Sequence, residues 1–348
     1  MKRSLALVLC AAMLCGALAG CSGGTAATKG EVNVYNWGEY IDMSVLEDFE
    51  AETGIKVNYQ TFDSNETMYS KLSGGGSDYD VIIPSDYMIG RLIQEDMLEP
   101  LNFDNIPNFS DIDPELKDPE YDPENLYSVP YMWGLMGIIY NTTMVDKPVT
   151  SWSTLFDADY SGDILMIDNS RDAFGIALKY LGYSYNTTDP DEIKAAVDLL
   201  IQQKPLVQSY VMDEIFGKLE GENAAIGTYY YGDFLTMYEN NENLAFCLPE
   251  EGTNLYVDAM CIPKGAANKE NAEAFINFMC TTQAGVKNCE EIWYSSPLLS
   301  VREELDPEVS GDKYAYPDAS VLAKCESYTN LPADILDLYA SEWLRLKN

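Results

Sequence analysis

Aromatic rings and carboxylates recur as near neighbours along this chain, a combination suited to an alkylammonium ligand. Trp37 stands by Glu39, Ser85 by Asp86 and Tyr87, Tyr230 by Asp233, and Tyr256 by Asp258. Each group follows a predicted strand and is expected in a loop at the strand's carboxyl end, where open α/β sheets bind ligands. Rings pack on methylenes and attract cations through their π faces, while carboxylates neutralise the nitrogens. The carboxylates should decide the contact. A unit pair at contact distance is worth about 4 kcal/mol at an effective dielectric of about 20, against roughly 0.5–2 kcal/mol for a cation–π contact, before desolvation. Singly, a ring is more often core and an acid more often solvated surface. Their recurrence in loops is what carries the reading.

Positioning these residues requires alternating strands and helices, and the apolar pattern supplies them. Val32, Val34 and Tyr35 read as a strand; Val45, Leu46 and Phe49 have helical spacing and Gly54 is a stop signal; Ile55, Val57 and Tyr59 alternate as a second strand. A helix over Glu66–Leu72 ends in Gly74-Gly75-Gly76, and Val81–Ile83 is a buried strand stopped by Pro84. The triple glycine reads as a turn, because no Gly-Lys-Ser/Thr follows and a strand comes next. Val129–Asn141 reads as strands crossing between two lobes, and Ser151–Leu155 opens the second lobe. There Ile164–Ile167 and Ala224–Tyr230 are predicted strands, and Ala173–Leu181 and Pro190–Ile201 predicted helices. The chain returns near Asp258 and continues into a helix bearing Phe275, Ile276 and Phe278. This alternation is an α/β pattern.

The amino terminus, Met1-Lys2-Arg3, an apolar run from Leu5 to Leu18 and then Leu18-Ala19-Gly20-Cys21, has the order of a bacterial secretion signal over residues 1–20. Cys21 is the expected lipid-modified first mature residue, and residues 21–30, rich in small and polar side chains, a flexible tether. The remainder, roughly 330 residues, is enough for two lobes. A formal net charge of −36 argues against nucleic acid and fits either a cationic partner or simple solubility outside the cell. With no histidine, a His-based triad and the commonest zinc sites are excluded. Cys247, Cys261, Cys280, Cys289 and Cys325 form an odd set without a C-x-x-C pair and read as buried thiols, with one incidental disulfide left open.

Longer strings carry a family resemblance. They include Tyr35-Asn36-Trp37-Gly38-Glu39-Tyr40, Ser64-Asn65-Glu66-Thr67-Met68-Tyr69, Pro130-Tyr131-Met132-Trp133-Gly134, Leu181-Gly182-Tyr183-Ser184 and Tyr316-Pro317-Asp318-Ala319. Over essentially the whole mature chain the sequence resembles spermidine/putrescine-binding proteins, the extracytoplasmic substrate-binding subunits of polyamine ABC importers. The resemblance implies a two-lobed periplasmic-binding-protein-like fold (type II), with lobes joined by crossing strands and a ligand in the cleft between them. Residues 32–135 and 257–303 would form lobe 1, and 136–256 and 304–348 lobe 2. It places Trp37, Glu39, Tyr40, Ser85 and Tyr87 on the ligand, with Tyr230 where the family usually has tryptophan. Asp233, Tyr256, Asp258, Tyr294 and Tyr328 follow, Asp258 facing an amine directly. Spermidine-binding relatives carry an acid at the position of Asn169 and a glutamate at that of Asp172, so putrescine and spermidine both stay open. The implied protein is a lipid-anchored monomer that partners the membrane subunits of an importer and needs no cofactor or metal.

Rival readings are weaker. Asp157, Asp159, Ser161, Gly162, Asp163, Ile164 and Asp168 mimic a calcium loop, but the last acid should be glutamate and a strand follows. A glycan-active enzyme would use one isolated acid pair rather than recurring ring–acid pairs. A same-fold protein for another cationic or neutral small solute is the nearer alternative. For an amino acid, a cation must meet the α-carboxylate; Arg171 alone lies near these loops, and among so many acids it is expected in a structural pair.

Overall fold

The computed structural model describes residues 29–75 and 78–348; the predicted signal, Cys21 and most of the tether lie outside the described residues. Strand β1 (Glu31–Trp37) pairs in parallel with β2 (Lys56–Phe62) and with β3 (Val81–Ile82). Between them run helices α1 (Met43–Thr53) and α2 (Asn65–Ser73). Asp42 caps α1 by accepting from the Ser44 amide, and Gly54 ends it at φ 72°, a left-handed turn that glycine enters without a Cβ penalty. Gly74 and Gly75 follow α2 as the expected turn; Gly76 lies outside the described residues.

Helix α3 (Asp86–Gln94) starts three residues after β3, with Ser85 at its N-cap position. The predicted crossing strands at Val129–Asn141 are one long strand, β4 (Ser128–Asn141). Its first half pairs antiparallel with β9 (Leu255–Cys261), which itself joins β3; its second half pairs with β7 (Ile226–Tyr230) and β8 (Leu244–Cys247). β7 continues in parallel to β5 (Ile164–Ile167) and β6 (Val207–Val211), giving the order β2-β1-β3-β9-β4-β7-β5-β6. β4 therefore belongs to both lobes, and its nearly complete burial follows from being covered at both ends.

In the second lobe, α4 (Ser170–Tyr180), α5 (Pro190–Gln203), α6 (Glu214–Glu220) and α7 (Tyr231–Asn240) cover the sheet, joined by a closing helix over Ala333–Lys347. In the first lobe, α8 (Lys269–Met279) and α9 (Thr282–Ile292) pack on one face. One apolar core gathers residues from Met136 to Phe246 with Ile335, Tyr339 and Leu346. A second joins Val32, Phe49, Val81, Phe275 and Ile276. A third, on the α3 face of the first lobe, takes in Tyr185 and Tyr328 from the other side of the cleft. Phe49 meets Phe275 and Phe278 edge-on, each buried ring contributing roughly 1.5–3 kcal/mol by removal from water. Among the described residues no helix is long and apolar enough to cross a membrane.

Two expectations are corrected. Tyr256 and Asp258 lie within strand β9, and their spacing of two puts both side chains on one face of the sheet. Asp86, Tyr87 and Asp233 occupy first turns of α3 and α7, because a helix starts at once after β7 and three residues after β3. Among the described residues the cysteines are free, Cys247, Cys261, Cys280 and Cys289 buried and Cys325 half-buried.

Candidate binding site

Three carboxylates lie near the crossing strands, each held by hydroxyls. Asp258 on β9 is buried. Ser85 Oγ donates to its Oδ1 at 2.6 Å and Tyr40 Oη to its Oδ2 at 2.8 Å. Tyr40 is fixed from behind by Tyr131, whose hydroxyl donates to the Tyr40 carbonyl at 2.7 Å. Asp172, in the first turn of α4, receives Tyr230 Oη on Oδ2 and Tyr328 Oη on Oδ1, both at 3.0 Å. Asp233, in the first turn of α7, receives Tyr294 Oη at 2.7 Å. Tyr294 follows Trp293, a non-glycine residue at φ 60° that ends α9 in a left-handed turn and redirects the chain. A Cβ on Gly232 would overlap the Tyr294 ring, so glycine there permits the two lobes to meet.

The rings form a continuous lining. Tyr40 meets Tyr294 at 4.8 Å between centroids, Tyr294 meets Tyr256 at 6.1 Å, and Tyr256 meets Tyr230 at 5.0 Å, all edge to face. The Tyr256 hydroxyl and the Trp37 indole nitrogen are buried with no hydrogen-bond partner. Burial pushes the Asp258 and Asp172 carboxyls up to about 6 and that of Asp233 up to about 7. The hydroxyl donors pull the other way in all three; Arg171 also lowers Asp172, whereas Asp213 adds to the rise at Asp233. Such groups gain from a cation that supplies the missing counter-charge.

The remaining expected site residues are less uniform. Tyr87 accepts from Asn65 Nδ2 at 3.1 Å and donates to Glu66 Oε1 at 3.0 Å. Asn169 caps α4, its Oδ1 accepting from the amides of Arg171 at 2.9 Å and Asp172 at 3.4 Å. Glu39 is exposed, held at φ 47°, and makes none of these hydrogen bonds. Arg171 has no carboxylate partner: Nη1 donates to the Thr329 carbonyl at 3.2 Å and Nη2 to Asn186 Oδ1 at 3.1 Å, and tyrosine rings surround it. The expected structural ion pair is thus replaced by neutral acceptors and π faces. In the calcium-like loop, Lys147 Nζ lies 2.7 Å from Asp157 and 2.5 Å from Asp159, filling the place of a cation. Among the described residues no cluster of acids or cysteines has the arrangement of a metal site.

The sequence pattern does not single out Asn65 and Glu66 as site residues, whereas it groups Asp86 with Ser85 and Tyr87. Asn65 and Glu66 lay within a motif string, and only the fold shows them meeting Tyr87. Asp86 was visible beside Ser85, but its complete burial was not.

A profile of bacterial extracellular solute-binding proteins matches residues 44–316. The chain is 38% identical to the spermidine/putrescine-binding periplasmic protein of Escherichia coli over 336 residues, covering 95% of this chain and 96% of that one. It is 29% identical to the putrescine-binding periplasmic protein SpuD of Pseudomonas aeruginosa, with both chains fully covered. Among solved structures, a putative spermidine/putrescine ABC transporter protein of Listeria monocytogenes superposes with a TM-score of 0.88 at 42% identity, covering 91% of this chain and 98% of the other. The substrate-binding protein PotD of Streptococcus pneumoniae gives 0.82 at 40% identity with the same coverage.

Proposed function

The chain belongs to the bacterial extracellular solute-binding proteins, and from that premise we propose that it captures a polyamine between its lobes and delivers it to an ABC importer. The observation that carries this reading is Asp258, a buried carboxylate beside the crossing strands that accepts from two hydroxyls and, among the described residues, has no cationic partner. An ammonium beside it would supply the charge that burial makes costly to leave uncompensated. The Tyr40, Tyr294, Tyr256 and Tyr230 rings supply apolar surface and π faces for the methylenes and the charge. The relatives named for spermidine and putrescine agree with this chemistry.

Membership of a solute-binding family supports a binding role rather than a catalytic one. Residues 32–135 with 257–303 are assigned to one lobe and 136–256 with 304–348 to the other, in keeping with the separate apolar cores. Cys21 is the lipid attachment point, and the mature protein acts as a monomer at the outer face of the cell membrane. Calorimetric titration of the tether-free protein with putrescine, spermidine and spermine tests the binding reading. Saturable binding of at least one is expected, and no heat and no thermal protection from any of them would overturn it. For the anchor, Cys21→Ala should leave the membrane fraction, whereas continued acyl labelling of that variant would refute the assignment.

A further inference from the structure

Two buried residues of opposite charge type lie on opposite sides of the cleft, outside the set of carboxylates assigned to the ligand. Asp86, in the first turn of α3, is fully buried. Its Oδ1 accepts from the Tyr87 amide at 2.7 Å, and its Oδ2 has no hydrogen-bond partner. Arg171, in the first turn of α4, is also buried; its two terminal nitrogens are satisfied within the second lobe, and its Nε is unpartnered.

Asp86 and Arg171 form no ion pair; the observed contact across the cleft is with Tyr87, the residue after Asp86. The Arg171 guanidinium carbon lies 5.3 Å from the Tyr87 ring centre, 4.5 Å from that of Tyr328 and 5.6 Å from that of Tyr339. Tyr87 is pinned on the first lobe by Asn65 and Glu66. The strap through Tyr328 continues to Asn330, whose Nδ2 donates to Gln94 Oε1 at the end of α3 at 2.9 Å. Burial raises the Asp86 carboxyl well above the usual range, and the Arg171 charge is one of the influences that lower it again.

We propose that Arg171 and the Asp86–Tyr87 pair form a clasp between the lobes, made when the cleft shuts, that favours the closed state even without ligand. On opening, the Arg171 cation loses the Tyr87 π surface it faces across the cleft and Asp86 loses a nearby positive charge, so both influences are stronger in the closed form and bias the equilibrium toward it. Asp86 and Arg171 are then positioning residues, acting on affinity through the closed population.

Small-angle scattering of the empty protein and calorimetric titration with putrescine and spermidine test the clasp in the parent, Asp86→Asn, Arg171→Gln, Arg171→Lys and the double variant Asp86→Asn/Arg171→Gln. Asp86→Asn and Arg171→Gln should each expand the empty protein and weaken polyamine affinity by roughly threefold to tenfold. The double variant should lose less than the product of the two. Arg171→Lys, which keeps the charge, should restore most of the compaction. If Arg171→Gln does not fold, Asp86→Asn and Arg171→Lys carry the test through scattering alone. Unchanged scattering in the folded charge-removing variants, or affinity losses that multiply without coupling, would overturn the clasp. Because scattering is read without ligand, its outcome is separate from whether the ligand is a polyamine.

Discussion

The two ends of the cleft hold their carboxylates differently. Asp258 sits on β9 beside the crossing strand β4, braced by Ser85 and Tyr40 of the first lobe, with no cationic side chain bonded to it. Asp172 sits on a helix of the second lobe beside Arg171, takes its donors from Tyr230 and the returning Tyr328, and is lowered in part by the arginine charge. Both carboxyls rise to about 6, but the second has a protein cation to share its field and the first does not. An incoming ammonium therefore has more to offer Asp258. We propose Asp258, on β9 where it pairs with β4, as the principal charge anchor and the helix-end Asp172 as its adjustable counterpart.

The largest expected effect is the loss of that anchor. Asp258→Asn keeps the shape and removes the charge, and truncating one side of a buried charge pair costs roughly 2–5 kcal/mol, so calorimetric affinity for every polyamine should fall about thirtyfold or more. Binding as tight as the parent's would break the comparison. Asp172→Asn should follow with a smaller loss, about threefold to thirtyfold, because Arg171 already offsets part of that charge. A loss at Asp172 exceeding that at Asp258 would reverse the assignment of the two ends.

Acidity sharpens the contrast further. The empty folded protein holds Asp258, Asp172 and Asp233 at about 6, 6 and 7, above the ordinary aspartate value of 3.8. It therefore binds more protons than the unfolded chain between about pH 4 and 7. The stability these groups contribute is present below pH 4 and is lost as pH rises through 6 to 7. Ligand binding has the opposite sign, since an ammonium favours the ionised carboxylates: affinity should rise roughly tenfold from pH 5 to pH 8, with proton release in buffers of different ionisation heat. Asp258→Asn should flatten both trends, and an unchanged slope would remove Asp258 from the titrating set.

The smallest effect is expected at the adjustable end. Asn169→Asp adds a carboxylate at the N-cap of α4, where aspartate caps as well as asparagine, so stability should hold. Spermidine should gain over putrescine by about threefold, read from competition titrations, because an added anion favours a trication over a dication. A gain for putrescine alone would mean that the second lobe does not face the third amine.

Much of the scaffold was legible because its signals are local. Val45, Leu46 and Phe49 repeat at helical spacing and are buried on α1; Gly54 stops that helix in a left-handed turn; Ile164–Ile167 is a fully buried strand. The ring–acid neighbours were equally visible. Their secondary structure was not, because Tyr256 and Asp258 are held in a strand by pairing with Gly134 and Met132 on β4, partners more than a hundred positions earlier in the chain. Arg171 illustrates the same point: composition suggested an acid partner, while packing surrounded it with tyrosine rings.

By itself, then, the sequence determined an α/β chain with a charge and aromatic content suited to a cation, since periodicity, turn residues and net charge need no knowledge of distant contacts. Only the tertiary structure decided which hydroxyl meets which carboxylate. Tyr40 and Asp258 are 218 positions apart, Tyr328 and Asp172 are 156 apart, and Tyr294 reaches Asp233 across 61. A hydrogen bond requires heavy atoms within about 3 Å, and over such separations only the crossing strands and the closure of two packed lobes fix positions that finely.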